Sequence, residues 1–155
     1  MKQFIILAFI AITAHSSSAQ DTDTDTTFWK FAKDFEVDEK GTLKQDWGRE
    51  VVTYLGTINW RSAGGKTLQI RILTSYRQIT QANGFNDQSL IALVKTNHQL
   101  IKAYDMVSRQ NLPVRIENNE LVYKANKAEI TSALPAKFSA RFCVKDLNCF
   151  TEINP

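Results

Sequence analysis

Histidine and cysteine are scarce in this chain, two of each in 155 residues, and its apolar run from Phe4 to Ile12 falls short of the ~20 residues a spanning helix needs. Each scarcity excludes a chemistry. One histidine, His15, lies in the N-terminal apolar region and the other is His98, so a histidine-based metal centre or a mechanism using two imidazoles lacks material. The few glycines build no phosphate loop, because Ala63-Gly64-Gly65-Lys66 lacks the nucleotide-binding spacing and sits in a hairpin turn. Nineteen basic against sixteen acidic side chains leave a net charge of +3 with both signs interspersed, which gives no reason to expect a nucleic-acid partner. The alternating aspartates of Asp21 to Asp25 lack the glycine and glutamate of a calcium loop. No metal and no cofactor is expected.

What is present begins with an export signal. Lys2 precedes the apolar run, and Ser17-Ser18-Ala19 offers small residues where a signal peptidase reads, so residues 1–19 are expected to be removed after Ala19. The mature chain is then secreted or periplasmic and keeps no stable membrane span. Residues 20–26, acidic and without apolar side chains, read as a disordered leader. Residues 27–155 suffice for a single α+β domain. In an oxidising compartment Cys143 and Cys149 are expected to pair across a C-terminal hairpin, with Phe142 opposite Phe150 on the other face.

The strongest helical pattern runs from Phe85 to Pro113. Asn86 and Asp87 suit a helix start, Asn111 and Pro113 suit its end, and Leu90, Leu93, Val94, Leu100, Ile101, Tyr104 and Val107 form one apolar stripe. Lys95, Lys102 and Arg109 make a basic ridge behind it, either a solvated face or a dock for an acidic partner. Asn97 falls within the stripe and needs a partner there. Phe28, Phe31, Ala32 and Phe35 recur at helical spacing after Thr27, which predicts a short N-terminal helix.

Val51 to Trp60 and Thr67 to Tyr76 are rich in β-branched and aromatic residues and predict an antiparallel hairpin. Strict alternation places Val52, Tyr54 and Ile58 on one face with Leu68, Ile70, Ile72 and Tyr76. Asn118-Asn119 marks a second hairpin, and residues 137–144 a further strand. A helix of about 23 residues and a strand of about ten both span about 34 Å, so the one can cover the other. The expected fold is α+β: an antiparallel curved sheet of about five to six strands with one long helix on one face and a short N-terminal helix.

On that fold Asn97, Tyr54, Thr74, Tyr76 and Tyr104 converge in the helix–sheet layer, as a core network or as the lining of a small ligand pocket. Trp29, Trp47 and Trp60 are candidates for an exposed aromatic surface. No catalytic set is complete. The function these residues imply is an exported non-catalytic module that binds a small ligand or an envelope or extracellular protein. The alternative is a small hydrolase with a pocket around Asn97 and His98.

Overall fold

Between Phe85 and Pro113, where a helix is expected, the chain runs as strands. The computed structural model describes residues 27–125 and 127–153, so the expected signal segment 1–19 and the expected leader 20–26 lie outside the described residues. A short helix, α1 (Phe28–Phe31), is followed by β1 (Lys40–Gln45), β2 (Gly48–Arg61), β3 (Thr67–Gln81), β4 (Gly84–Lys95) and β5 (Leu100–Asp105). A 3-10 turn at Arg109–Asn111 leads to β6 (Pro113–Glu117), β7 (Glu120–Ala125), β8 (Ala128–Ser132), β9 (Arg141–Val144) and β10 (Asn148–Ile153). One antiparallel sheet of seven strands has the order β1-β2-β3-β4-β5-β10-β9, and a second holds β6-β7-β8.

The α+β expectation is therefore corrected to a nearly all-sheet fold with no long helix. The reason is visible at Leu90-Ile91-Ala92-Leu93-Val94, five consecutive apolar residues that are all buried. An unbroken run of that kind belongs to a strand covered on both faces, and β4 is the middle strand of the large sheet. Residues with helix-start chemistry sit instead in the β3–β4 hairpin, where Phe85 pairs with Thr80 and is 73% exposed. The basic ridge dissolves with the helix: Lys95 bonds Gln99, Lys102 pairs with Glu152, and Arg109 turns elsewhere.

A sheet apolar on both faces needs two covers. On one face Ile58, Ile70, Ile72, Ile91, Leu93 and Tyr104 pack against Leu121 and Tyr123 of the small sheet. On the other, Phe28, Trp29 and Ala32 of the α1 segment pack on Leu43, Val52, Tyr54, Leu73, Leu90 and Val94. The short N-terminal helix and its aromatic docking are as expected. Thr27 occupies the N-cap position without a side-chain cap bond.

β2 changes faces part-way. Tyr54 pairs with Leu73 but Gly56 with Ile72, so Leu55 is an extra residue in the ladder. Because side chains alternate with period 2, one inserted residue inverts every position on one side of it. Val52 and Tyr54 consequently lie under α1 while Ile58 faces the small sheet. The next residue, Gly56, has φ +123°, a conformation that glycine takes without steric cost.

Polar groups fasten the second face. Arg71, 7% exposed, donates to the carbonyls of Ala32 at 3.0 Å and Lys33 at 2.7 Å, where α1 ends. Its guanidinium also lies 4.4 Å from the Tyr54 ring centroid. Glu50, 2% exposed, pairs with Arg77 at 2.8 Å and accepts from Ser75. The Arg77 guanidinium in turn stands 5.7 Å from the Phe28 ring.

The C-terminal hairpin is as expected: Cys143 is bonded to Cys149 directly across β9–β10, and Phe142 faces Phe150 on the buried side. No helix among the described residues is long and apolar enough to cross a membrane.

Two outcomes are expected. Arg71→Ala leaves the Lys33 carbonyl without a donor and the Ala32 carbonyl with Phe35 N–H alone, and should cost about 1–3 kcal/mol in urea unfolding, with amide exchange rising across residues 28–37; a loss under ~0.5 kcal/mol would show that the clasp is incidental. Reducing the disulfide should cost about 2 kcal/mol, the chain-entropy value for so short a loop. An unchanged urea midpoint in dithiothreitol would contradict it.

Candidate functional site

The register of β1, β2 and β3 sets side chains in rows across the sheet. Lys40 pairs with Thr53 and Thr53 with Thr74, Val51 pairs with Tyr76, and Arg49 with Gln78. These residues share the face on which the small sheet packs, but they lie beyond its cover. Thr53 reaches this face only because of the Leu55 bulge; without the extra residue, Tyr54 would stand there.

The chain leaving β5 supplies the opposite wall. Met106 O accepts from Ser108 N at 2.7 Å, closing a γ-turn over Val107, which has φ 65° and is 64% exposed. A β-branched residue in that region carries backbone strain on the order of 1–3 kcal/mol. Asn111 Nδ2 donates to the same Met106 carbonyl at 2.8 Å and holds the turn closed. The turn brings Arg109 and Leu112 over the sheet, with the Arg109 guanidinium 5.0 Å from the Tyr76 ring centroid.

Between the walls is a groove of about 260 Å³, lined by Lys40, Arg49, Val51, Thr53, Thr74, Tyr76, Arg109 and Leu112. Three cations and no carboxylate line it. Asp87 stands beside it but is engaged, accepting the Tyr76 hydroxyl proton at 2.5 Å. That hydrogen bond, then burial, raises the Tyr76 phenol above its ordinary range, so the hydroxyl stays protonated at neutral pH. Arg49 Nε donates to Gln78 Oε1 at 2.5 Å. None of Lys40, Arg49 and Arg109 forms a salt bridge among the described residues, whereas Arg77, Lys102 and Arg115 each do.

The residues singled out from the sequence are dispersed. Thr74 and Tyr76 line the groove. Tyr54 lies on the opposite face, its hydroxyl 2.8 Å from that of Thr57. Tyr104 is buried between the sheets and donates to Ser139 O at 3.0 Å. Asn97 is exposed in the β4–β5 turn, where its Oδ1 accepts from Gln99 N at 3.3 Å. There is no helix–sheet layer for these residues to share.

His98 Nδ1 is 2.9 Å from Arg71 Nη1; a guanidinium has no acceptor, so this nitrogen accepts and the ring proton of the neutral form is on Nε2. The contact sets His98 on the α1 face, away from the groove. The tryptophans form no common surface either. Trp29 is buried, Trp60 stacks on Phe138 at 4.6 Å and donates to Pro135 O, and Trp47 is half-buried near Arg77. Trp47 and Trp60 lie at opposite ends of β2, about 40 Å apart along the strand.

Lys40, Arg49 and Thr53 were not legible as site residues, and Arg109 reads only as part of a basic ridge at a helix end. The side Thr53 faces depends on a bulge whose only sequence signal is Gly56. Among the described residues no group of three or more His, Cys, Asp or Glu is placed to hold a metal ion. Comparison with protein-family models, with curated proteins and with solved structures finds no match for this chain.

A pH dependence follows for Tyr104. Burial first, and the Glu152 charge second, push its phenol up to about 12 from 10.0. A folded-state value above the unfolded one means that its stabilising share is complete below pH 10 and is lost as the pH rises towards 12. Stability measured by urea should fall across that interval, and less steeply in Tyr104→Phe. That variant should also lose about 1 kcal/mol at neutral pH with its hydrogen bond. Equal slopes in the two proteins would contradict the assignment.

Proposed function

We propose that this chain is an exported, non-catalytic binding module that holds a small polar ligand in the groove between β1–β3 and the Arg109–Leu112 turn. The single observation carrying this reading is the lining itself: hydroxyls and cations over an apolar wall, with no histidine, cysteine or carboxylate among its residues. Nucleophilic catalysis pairs a nucleophile with a base within hydrogen-bond reach, and the side chains of Lys40, Thr53 and Thr74 make no such pair among the described residues. Recognition requires only convergent polar groups in a concave site. A groove of about 260 Å³ lies just below the usual range for drug-sized ligands, which favours a compact one. The secretory pattern of residues 1–19 and the Cys143–Cys149 bond support action outside the cytoplasm.

Occluding the groove tests this. Thr53 is half-buried on the groove floor, so Thr53→Trp should fill the space while retaining the fold. A panel of small acids, amines and sugars screened by thermal shift should raise the melting temperature of the native protein by several degrees for at least one compound near 100 times its Kd. The shift should vanish in Thr53→Trp. A shift that persists in the variant, or a panel that leaves the Thr53, Thr74 and Tyr76 resonances unmoved, would remove the groove as the site.

A further inference from the structure

Resting on that reading of the groove, we infer that its ligand is a compact phosphate monoester, bound by its dianionic phosphoryl group. Lys40 comes from the edge strand β1, Arg49 from β2 and Arg109 from the turn after β5, so three cations approach one small volume from different elements. Like charges gathered in a concavity repel one another, and none of the three forms a salt bridge among the described residues, the Asp87 carboxylate beside the groove being engaged by the Tyr76 hydroxyl. An anion relieves that repulsion, and two charges do so better than one.

The donor chemistry selects a phosphoryl group. Arg49 and Arg109 present guanidinium forks that match phosphate oxygens in pairs, Lys40 adds a point charge, and the hydroxyls of Thr53 and Thr74 line the floor between them. A tetrahedral dianion has enough oxygens for donors from several directions, whereas one planar carboxylate is satisfied by one fork. Tyr76 does not compete for the proton chemistry, because its hydroxyl donates to Asp87. Val51 and Leu112 leave an apolar margin for a short carbon skeleton.

Arg109 gives this site a geometry of its own. Its guanidinium lies over Tyr76 on a segment set by the strained Val107 turn, so the cation is held at the mouth of the groove.

The test is isothermal titration of the purified protein with inorganic phosphate, glycerol 3-phosphate, succinate and glycerol, alongside sedimentation with vesicles containing phosphatidic acid. Glycerol 3-phosphate and inorganic phosphate should bind, succinate at least tenfold more weakly, and glycerol not at all. Binding should weaken several-fold from 50 mM to 500 mM salt. The Arg49→Gln, Arg109→Gln double variant should lose at least tenfold in affinity with an unchanged melting curve. Vesicle binding that the double variant loses identifies a lipid headgroup as the source of the phosphoryl group, and its absence identifies a free ester.

Equal binding of succinate, any binding of glycerol comparable to its phosphate, or full affinity in the double variant overturns the assignment. Those results leave the groove as a binding site for another class. If no probe binds, the phosphoryl assignment fails, and the thermal-shift comparison with Thr53→Trp decides the groove itself.

Discussion

An inserted residue at Leu55 governs how this protein is put together. Side chains in a strand alternate strictly, so without an irregularity β2 would present one apolar set to one side. The bulge divides that set. Val52 and Tyr54 go to one face and Ile58 and Trp60 to the other, which fits β2 to the two apolar faces that β3 and β4 present. Two covers are then required, and the chain supplies them from two separate segments: the α1 segment for one, the β6–β8 sheet for the other. The same inversion places Thr53 and Val51 in the groove and keeps the bulky Tyr54 out of it.

The two covers are held differently. The small sheet is held mainly by apolar packing around Leu121 and Tyr123, which is non-directional and proportional to area, and is pinned at the β6–β7 turn, where Asn119 makes two hydrogen bonds to the Asn59 backbone. The α1 segment is too short to be stable by itself, and its docking on Phe28, Trp29 and Ala32 is registered by directional bonds. Arg71 meets the two carbonyls at the end of the helix, where the backbone has acceptors to spare. Glu50 and Arg77 satisfy each other beneath Phe28. Buried charges are costly when partnerless, so this arrangement specifies one position for the segment more than it adds to stability.

Local signals were legible and the period of the middle segment was not. The Asn118-Asn119 turn, the β2–β3 hairpin, the N-terminal aromatic helix and the facing of Cys143 with Cys149 all follow from short-range chemistry, and each is present. The helix at Phe85 to Pro113 failed because two apolar strands joined by a short turn mimic a helical stripe when sampled every three or four residues. Leu90 to Val94 carried the contrary signal, an unbroken apolar run. Of the candidate site, Thr74 and Tyr76 were legible from strand alternation. Tyr54 was misplaced by the bulge, Asn97 by the absent helix, and the three groove cations meet only through pairings remote in sequence.

Both the docking of α1 and the groove depend on which way β2 faces before Leu55, and nuclear Overhauser contacts measure that directly. Cross-peaks should join the Tyr54 ring to the Arg71 side chain, 4.4 Å away, and the Thr53 methyl to that of Thr74, its cross-strand partner. Cross-peaks from the Tyr54 ring to Thr74 or Tyr76 instead would mean an unbulged strand. Such a strand has no groove of this composition, and the functional reading would fall with it.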